Sequence, residues 1–74
     1  MSDVEQAITL VRSGHLTVDQ VMLFHLSGLL RPLPGQGVRV VFTTDVPPFV
    51  GDEVAEFHPE LAAYLVQASV AAYA

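Results

Sequence analysis

Two helix-capping signatures follow one another at the start of the chain, and they restrict its fold more than any other feature. Ser2-Asp3-Val4-Glu5 has the form of a capping box, in which a serine oxygen and a returning glutamate satisfy free N–H groups. Val4, Ala7, Ile8 and Val11 follow at helical spacing, so a first helix is predicted from Asp3 to Ser13. Gly14 is a natural stop, because glycine takes positive φ without penalty, and Arg12 in the last turn complements the helix dipole. Thr17-Val18-Asp19-Gln20 then repeats the signature and opens a second helix that Gly28 ends. Val18, Val21, Met22, His25 and Leu26 form one broad stripe on it, and Leu23 and Phe24, off that stripe, are apolar too. A helix apolar on most sides is expected to be buried on most sides, which makes this the central element.

The helical pattern breaks over residues 29–37. Leu33-Pro34-Gly35-Gln36 fits a type II turn, with proline at the second position and glycine at the third. Val38 to Thr44 reads as a strand rich in β-branched residues, with Val38, Val40 and Phe42 on one face. Its hairpin partner would be Leu29–Leu33, where Pro32 suits only an edge, or its own copy in a second subunit. Asp45 to Gly51 carries two adjacent prolines and reads as an extended loop pinned by Phe49 and Val50. Asp52 to Phe57 reads as a short helical turn. Pro59 is well placed at the first position of a last helix reaching towards Ala74. Leu61, Leu65, Ala68 and Ala72 make one stripe of that helix; Ala62, Val66, Val70 and Tyr73 make another.

Composition narrows the classes of function. The chain has 74 residues, 51% of them hydrophobic and 15% charged, with three Arg, no Lys and no Cys. One domain spanning residues 1–74 is the limit, no disulfide can brace it, and a chain this apolar is not a disordered tail. No signal peptide is visible, and Leu61 to Ala74 is shorter than the ~20 residues of a membrane span, so a soluble cytoplasmic protein is expected. The formal net charge is −5, and the acids gather in one segment: Asp45, Asp52, Glu53, Glu56 and Glu60 face Arg39 alone in the second half. Phosphate contacts supply most non-specific affinity for nucleic acid, and three arginines are too few to make them.

Residues able to carry chemistry are sparse. No two of His15, His25 and His58 have the i, i+4 spacing that puts two imidazoles on one helical face. Glu56-Phe57-His58-Pro59-Glu60 brings three possible ligands together but lacks a fourth, so no metal and no cofactor is expected. His25 reads as a core histidine bonded to a backbone carbonyl. Asp19 and Ser27 are not its helical neighbours, so no catalytic triad is read there and no enzyme is expected.

The sequence thus points to a mainly α, small α+β fold: two capped N-terminal helices, a short β strand or hairpin, and an apolar C-terminal helix. The function expected is a non-enzymatic protein–protein interaction module, a homodimeric small acidic adaptor or inhibitor. Its composition is of the kind found in small acidic inhibitors of phage or mobile-element origin. Asp45, Phe49, Asp52, Glu53 and Glu56 would dock on a basic partner surface, with no direct contact to nucleic acid or membrane. Leu61, Leu65, Val66, Ala68 and Tyr73 would build the self-contact, because a helix with two apolar faces needs two packing partners. The alternatives are a winged-helix-like regulatory domain, with the Pro34–Gly37 turn as wing, and a small subunit of a larger homo-oligomer.

Overall fold

The computed structural model describes residues 2–74. In chain order they form α1 (Asp3–Ser13), α2 (Val18–Ser27), β1 (Val38–Phe42), β2 (Val54–Phe57), α3 (Pro59–Gln67) and β3 (Ala71–Tyr73). The small α+β class read from the sequence is the class found.

Local chemistry accounts for both N-terminal helices. The Ser2 side chain accepts from the Glu5 N–H, and Gly14 closes α1 at φ 75°. Thr17 and Gln20 form the complete reciprocal box, and Gly28 closes α2 at φ 82°. The turn at 33–36 also forms as expected, with the Gln36 N–H donating to Leu33 O and Gly35 at φ 78°. It leads from a loop into β1 rather than joining two strands, so it is not a wing.

The sheet is antiparallel in the order β2-β1-β3, so β1 is central. Val38 lies opposite Phe57 and Val41 opposite Val54, while on the other side Val40 lies opposite Tyr73 and Phe42 opposite Ala71. The expected partner Leu29–Leu33 is therefore replaced by two strands from the second half, and β1 stops at Phe42. The Asp52–Phe57 helical turn is also corrected. Six residues cannot repay helix nucleation, whereas Val54 to Phe57 alternates outward and inward as a strand does. Asp52, at φ 70°, donates its N–H to Phe42 O, and the Phe42 N–H donates to Glu53 O. Two residues thus oppose one in a bulge whose first position is left-handed, and this feeds the chain into β2.

The last helix ends far short of Ala74. Ser69 sits at φ 63°, the Ser69 N–H donates to Val66 O, and the Val70 N–H donates to Leu65 O. That pair of bonds is a Schellman stop with serine where glycine is usual. The chain then reverses into β3.

One side of the sheet carries the core. α3 lies against all three strands, and α1 and α2 pack on α3. Phe42, Phe57, Leu61, Leu65, Val21, Val40 and Leu30 are fully buried there. Each large apolar side chain so buried contributes about 1.5–3 kcal/mol. Arg12 of α1 holds the Glu60 carboxylate of α3 in a forked ion pair, its Nε 3.1 Å from both oxygens. The Tyr64 hydroxyl donates to Leu16 O and ties α3 to the α1–α2 link. The opposite side of the sheet is open: Arg39, Thr43, Val54, Glu56 and Ala72 are exposed and Val41 is half-buried.

Candidate interaction surface

The acidic segment is a braced hairpin. Val46 and Phe49 exchange backbone hydrogen bonds of 3.0 and 2.7 Å around the cis Pro47–Pro48 bond, a tight turn where an extended loop was expected. Asp45 Oδ1 accepts from the Gly51 N–H at 2.7 Å, and Glu53 Oε1 accepts from the Val50 N–H at 3.2 Å. Both carboxylates organise the loop as well as charging it. Phe49 does not stand out as a docking anchor. Its ring stacks on Phe42 with centroids 5.0 Å apart and meets the edge of Phe57 at 5.6 Å. Val50 is the apolar side chain the loop exposes, with Asp52 beside it. Glu56 lies on the open face of the sheet, its carboxylate directly over Gly37, where any Cβ would collide with it. A side chain at Gly37 would therefore displace Glu56.

His25 joins this aromatic cluster from α2. Its ring centroid is 4.2 Å from that of Phe57 and 6.0 Å from that of Phe49. Nδ1 is buried without a hydrogen-bond partner, so the expected bond to a backbone carbonyl is absent at that atom. Burial holds the imidazole below the ordinary histidine range. The other possible ligands are dispersed. His58 caps α3, its Nδ1 accepting from the Glu60 N–H at 3.1 Å, and Glu60 belongs to Arg12. Among the described residues, no group of three His, Cys, Asp or Glu side chains is gathered as a metal ion would need.

The five residues read as a self-contact separate. Leu61 and Leu65 are wholly buried in the chain's own core, so neither is a surface for a second copy. Val66 is half-buried on α3, and Ala68 is exposed at its end. Tyr73 is 57% exposed but lies on β3, not on the helix. The second apolar stripe of the expected helix is thus divided between a helix face and a sheet edge. The physical cause is the reversal at Ser69.

The apolar excess surfaces elsewhere. α2 buries Val21 and Met22 but exposes Leu23 by 62% and Leu26 by 54%, so it is a peripheral helix and not the central one. Asp19, Leu23 and Leu26 stand at i, i+4 and i+7, which places them along one side. On the other side, Phe24 and Leu29 line a groove of about 210 Å³ with Asp3, Gln6, Ala7 and Leu10 of α1. Leu29 also lines a neighbouring hollow of about 250 Å³ with Val4, Leu33, Arg31 and His58. Sequence reasoning named none of these leucines as surface. For Leu23 and Leu26 the signal in the sequence is the all-round apolarity of the second helix, which reads equally as burial. Comparison with protein-family models, with curated proteins and with solved structures gives no match for this chain. Among the described residues no helix is long and apolar enough to cross a membrane.

Proposed function

We propose that this protein is a non-enzymatic protein–protein interaction module of the cytoplasm, a small acidic adaptor or inhibitor that forms a homodimer and docks on a partner with a basic surface. The observation that carries the reading is the state of α2, which packs Val18, Val21, Met22 and Phe24 on the body and leaves the large apolar Leu23 and Leu26 uncovered on its outer side. Contiguous uncovered apolar surface on a folded domain is characteristic of interfaces. The exposed acids support a basic partner. Asp19 flanks Leu23 and Leu26, and Asp52 and Glu56 are exposed at the sheet end of the molecule. Of the three arginines, Arg12 is engaged by Glu60 and Arg39 lies opposite Glu56 in register, so the eight acids outnumber the cations left to oppose them. Long-range attraction would speed encounter with a cationic partner, and apolar contact would hold it.

The test is comparative capture from cells that produce the protein. Asp52→Lys/Glu56→Lys reverses charge while sparing Asp45 and Glu53, which brace the loop; Leu23→Gln/Leu26→Gln removes the apolar ridge. The reading expects one stoichiometric protein retained by the wild type and lost from at least one folded variant. A wild type that retains nothing beyond what both variants retain removes the interaction reading.

A further inference from the structure

The bonding pattern at β3 leaves an edge that fits one kind of occupant. The Thr43 N–H donates to Val70 O, and the Ala74 N–H donates to Arg39 O, both within 2.9–3.1 Å. With Val41 opposite Ala72 in register, antiparallel alternation turns the N–H and C=O of residues 70, 72 and 74 towards β1. Those of Ala71 and Tyr73 therefore point away from the sheet. Outward groups at i and i+2, with one residue between them, are self-complementary about a two-fold axis. Ala71 of one copy can exchange both backbone bonds with Tyr73 of the other, and Tyr73 with Ala71, giving four in all.

We infer that β3 is a dimerisation edge, on which a second copy of this chain pairs antiparallel about Ala72 to make a continuous six-stranded sheet. The inference rests on the self-association in the proposed function and names its surface. Side chains fit the register. The axis passes through a pair without hydrogen bonds, where facing side chains approach most closely, and the residue there is alanine. Tyr73, exposed in the single chain, lies opposite the small Ala71 of the other copy.

Charge selects this edge over the other. β2 turns the backbone groups of Val54 and Glu56 outward, so two copies pairing there about Ala55 would gather Glu53 and Glu56 of both into one seam of like charge. Residues 70–74 have no charged side chain, no proline and no bulge, the devices that ordinarily guard an edge; Ala72, Tyr73 and Ala74 are exposed, while Ala71, its side chain in the core, is 5% exposed. Pairing also extends the open face. Val54, Val41 and Ala72 stand in one row across the sheet, and the two-fold joins that row to its copy as six apolar side chains.

Sedimentation of the full chain over a concentration series, with isotope-filtered NMR on mixed labelled and unlabelled protein, tests this. The expected result is a concentration-dependent dimer with a cross-copy contact between the two Ala72 Hα atoms. Tyr73→Pro removes an outward N–H that bonds nothing within the chain and should weaken dimerisation at least about tenfold. Ala72→Glu sets two carboxylates face to face at an exposed position and should abolish the dimer whether or not the proline variant folds. A dimer that survives in folded Ala72→Glu overturns the edge while leaving self-association in place. A chain that stays monomeric to about 1 mM overturns both.

Discussion

His25 is held against two phenylalanine rings with one nitrogen shut away from any partner, a setting that favours the neutral imidazole. Its folded pKa therefore lies below the unfolded one because burial penalises the cation. The sign follows. In acid the unfolded chain binds the proton more readily, so stability from this residue is full above roughly pH 6.5 and declines as the pH falls through the folded value. Melting temperatures of the wild type and His25→Phe, measured between pH 8 and pH 5, should diverge on acidification, with the wild type losing more. Parallel curves would show that His25 carries no such linkage. The neighbouring rings rank by burial. Phe42 is fully enclosed, so Phe42→Ala should cost about 3–5 kcal/mol in urea unfolding. Phe49 is half-buried, and its loss should cost clearly less while raising amide exchange over residues 45–52. A larger cost at Phe49 than at Phe42 would mean the loop, not the sheet, organises the cluster.

At the scale of elements, the stop after α3 explains both what the sequence showed and what it concealed. Gly14 and Gly28 announce the ends of α1 and α2 because glycine is the residue a left-handed cap selects. Ser69 does the same work without the signal, and the alanines and Val70 beyond it suit a helix read by composition. Holding serine in the left-handed region costs about 1 kcal/mol that glycine does not incur. Ser69→Gly should accordingly raise stability by up to about 1 kcal/mol in chemical denaturation, with the backbone bonds to Val66 and Leu65 unchanged. A fall would show that the serine side chain supports the turn. The same contrast runs through the chain. Capping boxes, the turn at Pro34–Gly35 and Pro59 at the start of α3 all work within four residues, and all were legible. The partners of β1 lie up to 33 positions away at Tyr73, and local pattern says nothing about which strand meets which. Asp52, left-handed in its bulge, hid β2 as Ser69 hid β3. The acidic segment was legible as charge. Phe49 was legible as a residue that pins the loop, whereas Val50, read the same way, is exposed; that two of the carboxylates brace the loop depends on backbone N–H groups the sequence does not place.

For the molecule as a whole, the question is whether its exposed leucines belong to folding or to binding. The accessible area is 4596 Å², close to the roughly 4,450 Å² expected of a folded monomer of this mass. The chain thus exposes about as much surface as its size requires. Leu23 and Leu26 do not rest in the core cluster that holds Val21 and Met22. Glutamine matches leucine closely in helix propensity, so replacing both tests exposure alone. Leu23→Gln/Leu26→Gln should change unfolding free energy by no more than about 1 kcal/mol, because surface substitutions usually fall within 0.5 kcal/mol each. The same variant should lower the fluorescence of a dye that binds exposed apolar surface. A loss of 3 kcal/mol or more would place the leucines in the core and remove the support α2 gives to a binding role. Unchanged stability with reduced dye binding leaves the apolar side of α2 as surface that folding does not require.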